Sequence, residues 1–171
     1  MNDFIIENAR PEDAAAILDY LKIVGGETDN LNMGAEGIPI AVEAEEAFLR
    51  SMLDSSDDVM YAAKADGEII GIANVSRLKR RMSHRASIGI SVRQCAWHSG
   101  VGTALMEALL AFARKNGIEQ LELEVRSDNG RAIRLYERFG FMRIGTIPAF
   151  LKVNGEDFAS DYMVFPLKSN A

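Results

Sequence analysis

One stretch constrains the fold more than any other: Ile88 to Leu105, IGISVRQCAWHSGVGTAL. Ile88, Ile90 and Val92 alternate with the small residues Gly89 and Ser91, the two-residue period of a strand. Gly100 and Gly102 follow. Val101, Leu105, Ala108, Leu109 and Phe112 then recur at helical spacing. The stretch predicts a strand, a tight turn that needs small residues, and a helix. A helix that opens on glycines presents bare backbone N–H groups and the positive end of its dipole, a ready seat for phosphate. A phosphate-bearing cofactor is the expectation.

The rest of the chain bounds what such a unit belongs to. At 171 residues with 48% hydrophobic content, a single domain over residues 1–171 is expected. The formal net charge of −6 disfavours general nucleic-acid binding, which wants a basic face. No apolar run approaches the roughly 18 residues of a membrane span, so no membrane partner is expected. The N-terminus MNDFIIENARPED has neither the basic start nor the apolar core of a signal peptide. Cys95 is the only cysteine, which excludes an internal disulfide framework. A cytoplasmic protein fits these features. Two histidines and one cysteine at no ligand spacing give no reason to expect a metal.

Periodicity and turn chemistry order the elements. Phe4–Glu7 reads as a short strand, and Pro11 opens a helix carrying Ala14, Ile17, Leu18 and Leu21 on one stripe. Gly25–Pro39 reads as a long polar loop of the kind that often carries function. A helix over about Val42–Leu53 follows. Strands at Val59–Ala65 and Glu68–Arg77 flank Asp66-Gly67, a strong hairpin turn. A basic cluster (Arg77, Lys79, Arg80, Arg81, His84, Arg85) then leads into a strand at Ala86–Val92. It is read as a solvated hairpin tip or as a contact for an anionic group.

The helix after Gly100 ends near Asn116-Gly117, with Arg114 and Lys115 suited to its negative end. Leu121, Leu123 and Val125 alternate with Glu122, Glu124 and Arg126 in a further strand. Ser127-Asp128-Asn129 supplies caps for a helix with Ala132, Leu135, Tyr136 and Phe139 on one stripe, closed by Gly140. Strands at about Phe141–Ile147 and Phe158–Phe165 close the chain. The order β-α-α-β-β-β-α-β-α-β-β predicts an α/β (mixed α+β) fold, a mixed sheet covered by helices.

Val92–Gly102, the segment Asn129–Phe141 (NGRAIRLYERFGF) and the element order together resemble the GCN5-related N-acetyltransferase (GNAT) superfamily over nearly the whole chain. The family turn, V-x-P-x-x-[RQ]-G-x-G-x-[GA], matches at Val92, Gly100 and Gly102. It departs at Trp97, where arginine or glutamine is usual, and at His98, where glycine is usual. The second family motif, N-x-x-A-x-x-[LF]-Y-x-x-x-G-F, matches without a gap at Asn129, Ala132, Leu135, Tyr136, Gly140 and Phe141.

The resemblance implies a mostly antiparallel sheet of about seven strands flanked by about four helices, with one splayed parallel pair. It implies acetyl-CoA as co-substrate, with its pyrophosphate on the amides of Ser99, Gly100, Val101, Gly102 and Thr103. Asn129 would contact the pantetheine or phosphate arm, and Ala132 would also contact the cofactor. Ile90, Ser91 and Val92 would line the splay, an amide of Ile90 or Val92 polarising the thioester carbonyl. Tyr136 would sit beside the sulfur and protonate the leaving thiolate. The acceptor would be a primary amine of a small molecule or peptide.

Such chemistry needs a neutral amine. An alkyl ammonium with pKa near 10.4 leaves about one molecule in a few thousand as free base at pH 7, roughly 4–5 kcal/mol to offset. The family often places a glutamate on the central strand; the nearest counterpart here is Ser87, which cannot act as a base. Glu27 and His84 are the candidates, working through water. An α-amine, with pKa nearer 7.7–8.0, would need less help and becomes the easier acceptor if no base exists.

Substrate specificity is expected in Gly25–Pro39 and Pro148–Asp161, where Glu27, Asp29, Asp157 and Asp161 would form an acidic rim for a cationic substrate. A homodimer is expected from the family and from exposed terminal strands. The competing reading is an acyl-CoA-binding regulatory module with weak or lost catalysis, motivated by Trp97, His98 and Ser87 and opposed by Tyr136. A nucleotide-binding reading fails: GxxxxGK[ST] is absent, and Thr103-Ala104-Leu105 break GxGxxG.

Overall fold

A computed structural model describes residues 3–168. Its elements are β1 (Ile5–Asn8), α1 (Ala14–Glu27), α2 (Val42–Leu53), β2 (Asp58–Ala65), β3 (Glu68–Arg77), β4 (Arg85–Val92), α3 (Val101–Lys115), β5 (Gln120–Arg126), α4 (Gly130–Phe139), β6 (Met142–Val153) and β7 (Glu156–Pro166). The strands form one seven-stranded sheet in the order β1-β2-β3-β4-β5-β7-β6. Every pairing is antiparallel except β4 with β5.

That parallel pairing is short. It joins Arg85 to Gln120, Ala86 to Leu121 and Ser87 to Glu122, and there it stops. β4 continues to Val92 and β5 to Arg126 without meeting again, so the sheet opens between them. This is the splay that the resemblance implies.

Alternation along the strands divides two cores. Ala63, Ala73, Val75 and Ile88 face α3, with Leu105, Met106 and Leu109 fully buried against them. On the other face, Ala62, Ile69 and Ile72 meet Ile17, Tyr20, Val24 and Leu49 from α1 and α2. Neighbours such as Ala62 and Ala63, or Ile72 and Ala73, therefore serve opposite cores.

Two boundaries differ from the sequence expectation. The helix expected to end before Gly25 runs on to Glu27. Gly34 explains Gly25: a Cβ there would stand 2.1 Å from the Gly34 carbonyl oxygen, so the loop lies directly on the helix. β6 passes through Pro148, with a register shift between Ile147 and Leu151 and Ala149 at φ 50°. It reaches a turn at Asn154 (φ 51°) and Gly155 (φ 85°). That pair matches the turn at Asp66 (φ 51°) and Gly67 (φ 82°), and both are of the kind that favours Asn-Gly or Asp-Gly.

The basic cluster resolves as a hairpin tip. Arg77 bonds Asp57 and the Asn116 carbonyl, Lys79 pairs with Asp57, and Arg85 bonds Glu122 and Tyr162. None of its members lines either of the two cavities described below.

Candidate active site

The turn after β4 is built from backbone. Residues Gln94–Ala96 make one 3₁₀ turn, Trp97 Nε1 donates to the Val92 carbonyl at 2.9 Å, and Ser99 Oγ donates to the Ala96 carbonyl at 2.6 Å. His98 lies at φ 64° and Gly100 at φ 91°, both in the left-handed region. The first helical bond of α3 runs from Ala104 to the Gly100 carbonyl. The amides from His98 to Thr103 donate to no described residue. Six consecutive N–H groups at a helix start form the cradle expected for a pyrophosphate. Gly102 sits where α3 meets α4, and a Cβ there would lie 3.3 Å from Leu135 Cδ2.

A cavity of about 200 Å³ adjoins this turn. Of the residues expected to bind cofactor, Ile90, Ser91, Val92, Gly100, Val101, Gly102, Thr103, Asn129 and Ala132 line it. Ser99 does not; its side chain is tied back to Ala96. Asn129 also caps α4, its Oδ1 accepting from the Ala132 amide at 3.3 Å. Two cations that sequence reasoning missed, Arg131 and Arg138, share the lining. The Arg131 guanidinium stands 3.2 Å over the Trp97 ring, and burial lowers its pKa. The departure at Trp97 thus gives up one polar side chain and supplies a platform for another.

The splay supplies donors of a different kind. Arg93 donates to the Ile70 carbonyl and Leu78 to the Arg85 carbonyl, so the odd-numbered residues of β4 bond β3. The alternation of an antiparallel ladder then turns the N–H groups of Ile90 and Val92 toward the opening beside β5. On the α1 side of the strand, Ser91 Oγ and the buried Tyr20 hydroxyl share a hydrogen bond of 2.9 Å.

A second cavity, about 520 Å³, lies on the α1–α2 face. Ile90, Ser91, Asn129, Ala132 and Tyr136 line both cavities, so they adjoin at the splay. Tyr136 is 7% exposed, its ring 5.8 Å from Phe141. Burial pushes its pKa up to about 12, above the ordinary value near 10. Its hydroxyl therefore stays protonated at neutral pH. On β5, Glu124 is exposed to the second cavity and has no hydrogen-bond or ion-pair partner among the described residues.

The expected substrate residues are not brought together. Glu27 accepts from Arg93 Nε and Nη2 at 3.3 Å and from the Gln94 amide at 2.7 Å, which brace the turn. His84 stands at the far end of β4, where its carbonyl accepts from Glu119 and Gln120. Ser87 sits where β4 is still paired on both sides, with Ser76 and Glu122. None of the three lines either cavity. The acidic rim is also dispersed. Asp161 is 2% exposed and accepts from Ser127, Thr146 and Arg143, which hold its carboxyl low despite the desolvation of burial. Asp157 pairs with Lys152. The signal that could have found Glu124 was its place in the Glu122–Glu124–Arg126 alternation, here the face covered by α1 and α2.

Residues 29–141 match the Acetyltransferase (GNAT) family. The chain belongs to that family. It is similar to the N-alpha-acetyltransferase RimI of Mycobacterium tuberculosis, at 36% identity over 112 residues, 65% of this chain and 68% of that protein. It is 33% identical over 100 residues to the L-amino acid N-acetyltransferase AaaT of Escherichia coli, spanning 57% of this chain and 62% of that one. Its fold superposes on a GNAT-family acetyltransferase of Streptococcus pneumoniae with a TM-score of 0.92 and 28% identity, covering 96% of this chain and all (100%) of the other. The Salmonella typhimurium protein yncA, solved with its cofactor acetyl-CoA, shares the fold at a TM-score of 0.84 and 20% identity, covering 99% and 97% of the two chains.

This GNAT chain is an acetyl-CoA-dependent N-acetyltransferase, and amines are its acceptors. Among the described residues, no group of three or more His, Cys, Asp and Glu side chains is placed to hold a metal ion. No described helix is long and apolar enough to cross a membrane.

Proposed function

We propose that the protein transfers the acetyl group of acetyl-CoA directly to a primary amine at the splay, with Tyr136 as proton donor and Glu124 as proton acceptor. The observation that carries this reading is the position of Tyr136, on the shared wall of the phosphate-side and acceptor-side cavities. Acetyl-CoA supplies an activated thioester. The amide cradle from His98 to Thr103 suits its phosphates, with Arg131 and Arg138 adding positive charge.

The free N–H groups of Ile90 and Val92 suit the carbonyl oxygen as it gains charge, because fixed donors need no reorganisation. The amine nitrogen bonds to the carbonyl carbon, and the carbon–sulfur bond breaks. Glu124 takes the proton lost by the amine, through water, into the solvent of the larger cavity. Tyr136 donates a hydrogen bond to the departing sulfur. A tyrosine held near 12 gives up its proton reluctantly to a solvated thiolate of pKa about 8.5. The same burial raises the basicity of a thiolate formed beside it, which narrows the gap.

The names of the two relatives point to α-amines of proteins and of amino acids, and these belong in the acceptor panel. A homodimer is part of this reading. β6 is an edge strand with Met142 (54% exposed), Ile144 (59%) and Phe150 (40%) uncovered. Sedimentation of the free protein as a monomer at micromolar concentration removes that element.

The test is release of CoA thiol from acetyl-CoA with amino acids, peptides, alkylamines and polyamines, for wild type and Tyr136→Phe. The expected result is turnover with one amine class, slowed in the variant while acetyl-CoA still binds. Unchanged turnover in Tyr136→Phe overturns the role given to that hydroxyl.

A further inference from the structure

The larger cavity has an unusual electrostatic make-up. Its walls are largely apolar, with Leu21, Leu31, Phe48, Met52, Met60 and Phe150 among them. Two carboxylates interrupt them, Glu124 from β5 and Glu45 from α2. Glu45 is 5% exposed, yet its carboxylate has no hydrogen-bond or ion-pair partner among the described residues. Burial alone pushes its pKa up. Its oxygens keep contact with the cavity, so the carboxylate is partly desolvated and no partner repays that loss. A side chain kept in that condition on a cavity wall is complementary to a cation the cavity receives.

The single cation on the same lining is Arg126, and it is already engaged. Its Nε and Nη2 each donate to Asp128 at 2.6 Å, its Nη1 donates to the Asp29 carbonyl at 3.1 Å, and its guanidinium lies 3.8 Å over the Phe158 ring. An acceptor bearing a carboxylate would find no free cation and two negative charges. An acceptor with an apolar middle and two ammonium ends would match every part of the lining.

We propose that the acceptor is a linear alkyl diamine or polyamine, its reacting amine beside Glu124 and its distal ammonium held by Glu45. The methylene chain lies along the apolar wall, where burial of each CH₂ adds to affinity. This assignment rests on the acetyl-transfer reading above and narrows its substrate class. Glu45 acts as a binding residue for the end of the substrate that does not react.

The experiment compares diamines of increasing length with monoalkylamines of the same length, by thiol release from acetyl-CoA. Wild type is expected to favour diamines in kcat/KM by about tenfold or more, with an optimum at one chain length. In Glu45→Gln that preference collapses toward unity, about 10- to 100-fold in diamine KM and little in kcat. Equal wild-type efficiency with the two series overturns the diamine assignment and leaves the acetyl-transfer reading standing. So does turnover confined to amino acids or peptides. Silence across every amine, with acetyl-CoA bound, overturns both. Should Glu45→Gln fail to fold, the wild-type comparison of the two series decides alone.

Discussion

The two cavities that adjoin at Tyr136 are made of different material. The phosphate-side cavity draws on main chain: six amides in sequence, His98 to Thr103, held by a 3₁₀ turn, two positive φ values and the start of one helix. The acceptor-side cavity draws on side chains from α1, α2, α4, every strand from β2 to β7 and two loops. Main-chain recognition tolerates side-chain change, provided the backbone path survives. Trp97 and His98 illustrate this, standing in a turn whose amides still converge. Side-chain recognition has no such tolerance, because a change at Glu45 or Glu124 changes the cavity wall itself.

Perturbing each half separately breaks or sharpens that contrast. The largest effect belongs to the wall they share. Tyr136→Phe is expected to lower kcat by about 100-fold or more, with both KM values little changed, as read by steady-state thiol release. The same variant has a signature in stability. Tyr136 titrates near 12 in the folded protein and near 10 when unfolded. Its contribution is therefore complete below pH 10 and is lost as pH rises from 10 toward 12. Wild type should lose stability through that window more steeply than Tyr136→Phe, as read by alkaline denaturation. The buried Tyr20, raised in the same direction, steepens both curves.

Glu124→Gln tests the acceptor half. Turnover of an alkylamine at pH 7 is expected to fall about 10- to 100-fold and to recover as pH approaches 10, where the free base no longer has to be generated. A pH-independent deficit would assign Glu124 to binding rather than proton transfer.

Gly100→Ala tests the phosphate half. At φ 91° a Cβ costs about 1–2 kcal/mol. The distorted turn should raise KM for acetyl-CoA while leaving that for the amine. His98→Gly is the smallest effect and has the opposite sign. Relief of φ 64° offsets the added freedom of glycine in the unfolded chain, for a gain of up to about 1 kcal/mol in thermal unfolding. A loss of stability would mean that the His98 side chain makes up for its backbone.

The same division governs what could be read before the structure. Local patterns carried β4, the glycine turn, α3 and the Asn129–Phe141 helix. Strand alternation, helical stripes and turn residues act over a few neighbours and are written in order along the chain. The motif that carries Tyr136 is compact enough to be read along the chain, because it lies almost within one helix. Glu27, His84 and Ser87 were chosen by proximity in sequence and by analogy, and the fold engages them elsewhere. Glu27 illustrates the reason, since α1 runs two residues past Gly25 and delivers that carboxylate to Arg93 and Gln94.

By itself the sequence determined the element order, the mixed sheet, the glycine turn and the helix that carries Tyr136, because each follows from short-range periodicity and backbone stereochemistry. Only the tertiary structure decided the rest. It stopped the β4–β5 pairing after Ser87, turned the N–H groups of Ile90 and Val92 into the opening, and brought Glu124 and Glu45 to one cavity from segments 79 residues apart. Burial and the meeting of distant side chains are properties of packing, and a chain read in one dimension does not carry them.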